Sequence, residues 1–537
     1  MIRKSSHHGA LSRTTLDARW SVRRRAAALL AIALALYGCG ATAPRTAYPP
    51  VVELTILTTN DFHGALEQVD KERDTERPIG GAAWVAATIA RERATNPDGA
   101  IVVDAGDIYQ GTALSNLTQG RASIDYMNAA GFDAAAIGNH EFDWGVPVLL
   151  DRIEQAKFPM LVANMRERAT GKLPKWAKPY VIVERSGVRV AVIGLITPDT
   201  PNTTMPANVE PYEFLDPAAE ANALIPTLVP AKADIAVIVC HHGGSMDRDG
   251  NLSGEVVEMS EAIVGEAAVV GGHTHQIMHG KVDGVPVVEA GASGRTIGRI
   301  DLVVDRAARA VTESSVRVLT VYADSTAPDT SVARLVERYR AEVAPILDEV
   351  IGEAAIEIEA ARRECGMGNF IADAMREAGG VSFAFQNPGG VRAPLDKGPI
   401  TYSEIYRVMP FDNTIVTMEL TGVEVLQLLE QAVGDGSFLH VSGLRYSADM
   451  ARPKGSRITV AAATGGVPIV ADTVYPIAVN NYMAQGGDSL PLITKRAGAR
   501  ETGIVIREAM AAHIRAETKE GRAISARAEG RVFIEGR

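Results

Sequence analysis

Eight short, predominantly apolar runs recur between Val51 and Gly291. They read VVELTIL, GAIVVDA, DAAAIG, PMLVANM, RVAVIGLIT, DIAVIVC, AAVVGG and VPVVEAG, with helical or irregular stretches between them. Runs of this kind predict strands buried on both faces and joined by crossovers, hence an α/β domain built in layers. With 537 residues and 46% hydrophobic content, the chain can bury more than one core, and two folded domains are expected. Its 54 Lys and Arg against 65 Asp and Glu give a net charge of −11. No basic stripe is present, so a nucleic-acid polymer is not the expected partner, although a pocket with its own local field still admits a small anion.

The amino-terminal segment is read apart from the fold. Ala26 to Leu36, an apolar run behind Arg23 to Arg25, is too short to span a bilayer and is placed like the hydrophobic region of a signal peptide. LYGC, Leu36 to Cys39, resembles the lipobox of bacterial lipoproteins, with Tyr37 an unusual choice before the Gly. Residues 1–39 are therefore expected to be a leader and lipoprotein-type signal peptide, with a lipid anchor at Cys39 and export to the periplasm or cell envelope. Ordinary secretion and an uncleaved anchor are the alternatives. Residues 40–50 form a Pro-rich spacer. Only Cys240 and Cys365 remain beyond Cys39, far apart, so core packing rather than a disulfide framework must stabilise the protein.

From Ser331 the pattern becomes amphipathic and helical, SVARLVERYRAEVAPILDEVI, and a second α/β region follows from Gly352. The expected organisation is a layered domain over 51–325, a helical linker over 326–351 and a substrate-recognition domain over 352–537.

Five of the apolar runs end in residues that are costly to desolvate. TTNDFHG brings Asp61 and His63, VVDAGD brings Asp107, and AAIGNHEFD brings Asn139, His140 and Asp143. VIVCHHGG brings His241 and His242, and VVGGHTH brings His273 and His275. Any one cluster reads equally well as a solvated turn. Ligands of open α/β sheets bind where loops converge at the carboxyl ends of strands, so five such clusters point to one site. Carboxylate, amide and imidazole suit divalent ions such as Zn, Mn, Co or Fe. Seven candidate ligands exceed the needs of one tetrahedral ion and match two ions sharing a carboxylate, an arrangement suited to phosphoryl chemistry.

In this order NDFHG, AGD, GNHEFD, HHG and GGHTH resemble the calcineurin-type metallophosphatases, in particular the 5′-nucleotidase and UDP-sugar hydrolase family. The resemblance implies an αββα metallophosphatase domain and a C-terminal 5′-nucleotidase domain. It implies that Asp61, His63, Asp107 and His275 hold one metal, and that Asp107, Asn139, His241 and His273 hold the other. His140, held by Asp143, would stabilise charge on the transferring phosphate; independently of any family, a carboxylate orients an imidazole and favours its protonated form.

In FQNPGGVRAPL, Asn387, Gly389, Gly390 and Arg392 form a turn through which backbone and guanidinium approach an anion. The resemblance implies phosphate binding here, with Pro388 departing from the family's Gly. It also implies that Phe411 and Tyr482 stack on the base, Tyr482 standing where Phe is usual, and that Asp488 binds ribose. On sequence alone, both aromatics read equally as core. A phosphate-binding Arg of the family is replaced by Ala361, leaving Arg362 and Arg363 as alternatives. The expected activity is hydrolysis of nucleoside 5′-monophosphates, with UDP-sugars as further substrates. The alternatives are 2′,3′-cyclic-nucleotide or sulfate-ester-like substrates, or a non-catalytic nucleotide-binding surface protein.

Overall fold

In the computed structural model the strands that carry the polar clusters all run the same way within their sheets. These are β1 (Val51–Thr59), β2 (Ala100–Asp104), β3 (Ala134–Ala136), β4 (Ile235–His241) and β5 (Glu266–Gly271). The structure describes residues 48–67, 70–72, 75–434 and 436–536, so the expected leader and Cys39 lie outside the described residues.

Two six-stranded sheets make up the first half. In one, β1, β2 and β3 pair in parallel and continue to the strand Met160–Leu161, while Thr296–Asp305 and Ala310–Thr320 extend the other edge antiparallel. In the other, β4 pairs in parallel with β5 and with Val188–Ile196, and Val285–Ala290 follows β5. Ile277–Val282 and Tyr180–Arg185 close its two edges antiparallel. The sheets pack against each other, as at Gly194, where a Cβ would lie 2.3 Å from that of Leu161 in the opposite sheet. A side chain there would force the layers apart. Helices Ala82–Arg93 and Arg121–Ala130 cover the first sheet, and Pro217–Leu228 and Glu255–Ala262 cover the second, giving four layers, αββα. Burial of β2, β3 and β4 along their whole length explains their unbroken apolar sequences.

The expected amphipathic segment is the helix Thr330–Leu347, capped by the Asp329 carboxylate, which accepts from the backbone N–H of Ser331 and Val332. Its buried stripe of Val332, Tyr339, Val343 and Leu347 lies in one hydrophobic cluster with Leu57 and Phe62 on one side and Phe370 and Ile514 on the other. Pro345 sits in its last turns. The second α/β region is built on a five-stranded sheet, in the order His440–Ser442, Phe383–Gln386, Val474–Asn480, Thr414–Thr421 and Arg500–Val505, with helices Gly366–Gly379, Gly422–Gly434 and Ile506–Lys519. Cys240 and Cys365 are both buried and free.

Candidate metal centre and adjoining cavity

The loops after β1 and β2 prolong the pairing of their strands. Ala105 N–H donates to Thr59 O, Asp61 N–H to Gly106 O and His63 N–H to Asp107 O, each at 2.9 Å. Five of the expected ligands take left-handed backbone: Asp61 (φ 48°), His63 (49°), Asp107 (56°), His273 (86°) and His275 (59°). Such a conformation costs about 1–3 kcal/mol per non-glycine residue, and it concentrates where a site over-determines the chain.

Six of the seven expected ligands converge in two groups, Asp61 with His63 and His275, and Asp107 with His241 and His273, and Asn139 stands beside the second. His63 Nε2 lies 3.0 Å from His275 Nε2, and His241 Nε2 lies 3.2 Å from His273 Nδ1 and 3.0 Å from Asn139 Oδ1. Asp107 Oδ2 sits 3.1 Å from His241 Nε2 and 3.9 Å from His63 Nε2, between the groups. Ring nitrogens cannot hydrogen-bond one another when both present lone pairs, and the tautomers here are set from behind. His63 Nδ1 faces Gln110 O at 2.7 Å and His241 Nδ1 faces Ala105 O at 2.8 Å, so in each neutral ring Nε2 carries the lone pair. Donors about 3.0–3.4 Å apart span the edges of an octahedral or tetrahedral shell with metal–nitrogen bonds near 2.0–2.1 Å.

Electrostatics agree with a site built for positive charge. Burial pushes Asp61 well above the usual carboxylate range, and burial likewise lowers His63 and His273 to about 3 and His275 to about 4, leaving them neutral. Burial works against charge on Asp107 too, but His140 and His241, the latter lifted to about 10 by Asp107 against its own burial and so protonated until a metal takes the proton's place, outweigh it and hold the carboxyl well below its usual range. Two carboxylates this deep do not both ionise without a cation. The residues present therefore fit two divalent ions.

His140 Nδ1 lies 2.8 Å from Asp143 Oδ2, and Thr204 Oγ1 donates to Asp143 Oδ1 at 2.6 Å. Burial opposes a proton on His140, yet the Asp143 and Asp107 carboxylates outweigh it and lift its pKa to about 9. Asn139 Nδ2 donates to Thr203 O at 3.0 Å, which turns its oxygen toward His241. His242 faces the other way, its Nδ1 3.4 Å from Glu255 Oε2.

A cavity of about 330 Å³ opens beside these groups. On one side it is lined by Asp107, Asn139, His140, Asp143, His273 and His275. On the other it is lined by Asn387, Gly389, Gly390, Arg392, Phe411, Tyr482 and Asp488. Phe411 lies nearly parallel to His140, ring centres 6.3 Å apart, and the Arg392 guanidinium is 5.8 Å from the Phe411 ring. Tyr482 Oη donates to Asn202 O at 2.8 Å and Asn116 Nδ2 to Pro410 O at 2.7 Å, two bonds that join the halves across the cavity's rim. Burial raises Asp488 above its usual range. Arg363 is turned away in an exposed ion pair with Glu359, whereas burial and then the charge of Arg362 lower the pKa of Arg392.

Sequence reasoning missed the groups that hold the loops. Glu141 accepts from the backbone N–H of Asp107, Ile108 and Gly138 at 2.7–2.8 Å, and burial lifts its pKa to about 7. Glu289 accepts from the N–H of Gly244 and Gln276, each at 3.0 Å, and Asn60 and Asp104 tie the loops after β1 and β2. Glu141 adjoins His140 in sequence, which was the one available signal.

An αββα sandwich whose parallel strands end in two facing donor groups is the architecture of a metallophosphoesterase. Residues 54–277 match the family model for calcineurin-like phosphoesterases, and residues 350–495 match that for the 5′-nucleotidase C-terminal domain. The snake venom 5′-nucleotidase of Naja atra is 30% identical over 494 residues, which span 81% of this chain and 90% of that protein. The crystal structure of a 5′-nucleotidase precursor from Thermus thermophilus superposes with a TM-score of 0.77 at 30% identity, covering 90% of this chain and 100% of that one. The chain belongs to the 5′-nucleotidase family of metallophosphoesterases. Endonuclease YhcR of Bacillus subtilis (strain 168) is also 30% identical over 465 residues, 82% of this chain, but the chain spans only 38% of that longer protein.

Proposed function

We propose that the protein hydrolyses nucleoside 5′-monophosphates to nucleoside and phosphate, with UDP-sugars as further substrates. One observation carries the reading: a single cavity is lined both by metal-ligand candidates with His140 and by an arginine, two aromatic rings and a carboxylate from the second half of the chain. Asp61, His63, Asp107 and His275 would hold one divalent ion, and Asp107, Asn139, His241 and His273 the other. Bound there, the ions supply Lewis acidity that neutralises phosphoryl charge and acidifies water.

The chain's own groups do the rest. His140, kept protonated and oriented by Asp143, donates to the phosphoryl oxygens as their charge grows. Arg392 and Asn387, at the turn Pro388–Gly390, take the phosphate, and Arg362 adds positive charge from the place where Ala361 offers none. The base stacks on Phe411 and Tyr482, and Asp488 accepts from ribose hydroxyls. Export through the leader of residues 1–39, with a lipid anchor at Cys39, completes the proposal.

The test is phosphate release from AMP, UDP-glucose and 2′,3′-cyclic AMP with Mn, Co or Zn and with chelator, beside His140→Ala. Release from AMP that chelator abolishes and the variant loses supports the reading; a chain inert on every substrate with every metal refutes it. Similarity to endonuclease YhcR makes phosphodiester cleavage the second reading, which faster turnover of the cyclic nucleotide than of AMP would favour.

A further inference from the structure

Arg507 is 4% exposed at the start of the helix Ile506–Lys519, and no ligand group of the metal centre touches it. An isolated guanidinium at that depth would be strongly unfavourable, so its partners reveal what it holds. Its Nη1 donates to the carbonyl oxygens of Met409 and Phe411, each at 3.1 Å. Its Nη2 donates to Tyr406 Oη at 3.0 Å and to the Asp412 carboxylate. Its plane lies over the Tyr406 ring, 3.7 Å from the centroid. These four partners fall within residues 406–412, the segment that presents Phe411 to the cavity, and Tyr402, at the start of the helix that leads into it, also faces the guanidinium.

That segment leaves the helix Tyr402–Val408 and has no regular structure before the strand Thr414–Thr421, so no backbone ladder sets the direction of the Phe411 ring. Its carbonyls are instead fixed from two sides. Arg507 takes those of residues 409 and 411, and Asn116, from the first half of the chain, takes that of Pro410 at 2.7 Å. The planar fork of an arginine reaches two carbonyls at once, which a lysine ammonium does not reproduce.

We propose that Arg507 is a positioning residue for base selectivity: by clamping the carbonyls on either side of Pro410 it holds the Phe411 ring ready to receive the base of a nucleotide. This rests on the reading that a nucleotide base enters the cavity. Pre-ordering the ring lowers the entropy lost on binding, so loosening it weakens base-dependent affinity and leaves chemistry at the phosphate unchanged.

The experiment compares kcat/KM for AMP and for ribose 5-phosphate, and the affinity for adenosine by calorimetry, in the full chain and in Arg507→Lys, Phe411→Ala and the double variant. The preference of the unmodified chain for AMP over ribose 5-phosphate is expected to fall about tenfold in Arg507→Lys, chiefly through KM, with adenosine binding weakened equally. The double variant is expected to lose no more than Phe411→Ala alone, because both changes remove one interaction. An equal fall on both substrates, an unchanged preference, or additive losses would overturn the proposal. If Arg507→Lys does not fold, Tyr406→Phe, which removes one hydroxyl from the clamp, decides: a smaller loss of preference supports the proposal and none overturns it. An unmodified chain that treats AMP and ribose 5-phosphate alike refutes base recognition itself, whereas a preference that survives in the variants refutes only the role of Arg507. In a chain that releases phosphate from neither, adenosine affinity alone decides.

Discussion

Replacing Glu141 by Gln keeps the shape of the side chain but changes what it offers to three buried N–H groups. Oε2 accepts from Asp107 N–H at 2.8 Å and Gly138 N–H at 2.7 Å, and Oε1 accepts from Ile108 N–H at 2.8 Å. With the amide oxygen placed at the two-bond position, the NH₂ group points at Ile108 N–H, so one charge-assisted bond is lost and two donors face each other. That costs about 1.5–3 kcal/mol. The strained turn it destabilises is the one that aims Asp107, at φ 56°, between the two ligand groups. At about 1.4 kcal/mol per factor of ten, the change corresponds to roughly tenfold to a hundredfold weaker metal binding, the range typical of groups that orient metal ligands. Calorimetric titration of Mn into chelator-stripped protein measures it, with circular dichroism checking that the fold persists. Glu141→Ala, which leaves all three N–H groups without an acceptor, is expected to bind metal more weakly still. Affinity within twofold of the unmodified chain in Glu141→Gln, or Ala no worse than Gln, would show that Glu141 does not hold the Asp107 turn.

Other expectations follow from the same geometry. Thr204→Val removes the hydroxyl that donates to Asp143 at 2.6 Å and should lower kcat about tenfold with KM little changed, while Thr204→Ser restores it; equal rates in Val and Ser would exclude this role. His440 is wholly buried with neither ring nitrogen hydrogen-bonded, and burial lowers its pKa to about 4 from the ordinary 6.5. The unfolded chain therefore takes up this proton first on acidification, so the stabilisation is complete above pH 6.5 and is lost as pH falls toward 4, by about 3 kcal/mol in all. Urea midpoints at pH 7.5 and 5 should fall further in the unmodified chain than in His440→Gln, and parallel falls would contradict the assignment. Because the halves also meet at Ala207 N–H and Gln485 Oε1, 3.2 Å apart, substrate entry should require them to part, and a short crosslink between cysteines placed at 207 and 485 should slow turnover until cleaved; unchanged turnover would rule out that motion.

The two candidate donor groups were legible because of where their residues stand. A carboxylate or imidazole directly behind an unbroken apolar run has to face the end of a buried strand, and five such ends on parallel strands can only converge. The edge strands were not legible in the same way. Ala310–Thr320, AVTESSVRVLT, is half exposed along most of its length, and its polar residues resemble a loop. Glu289 carries no local mark either, since a carboxylate bound to backbone N–H groups of distant loops has the same sequence context as a solvated one, and Glu141 is marked only by its place beside His140. Contacts such as Arg507 with Met409, inside the second half, or Asn116 with Pro410, between the halves, span long sequence separations and appear only in the folded chain. Of the two arginines beside Ala361, both exposed, Arg363 pairs with Glu359, and the charge of Arg362 is felt at Arg392.

The most direct measurement is metal content per chain taken together with phosphate release from AMP, as Mn is returned stepwise to chelator-stripped protein. Two ions per chain are expected, with release rising as both groups fill and absent in His140→Ala at the same metal content. Full activity with a single ion, or two bound ions without any release from AMP, would contradict a paired metal centre that hydrolyses nucleotides.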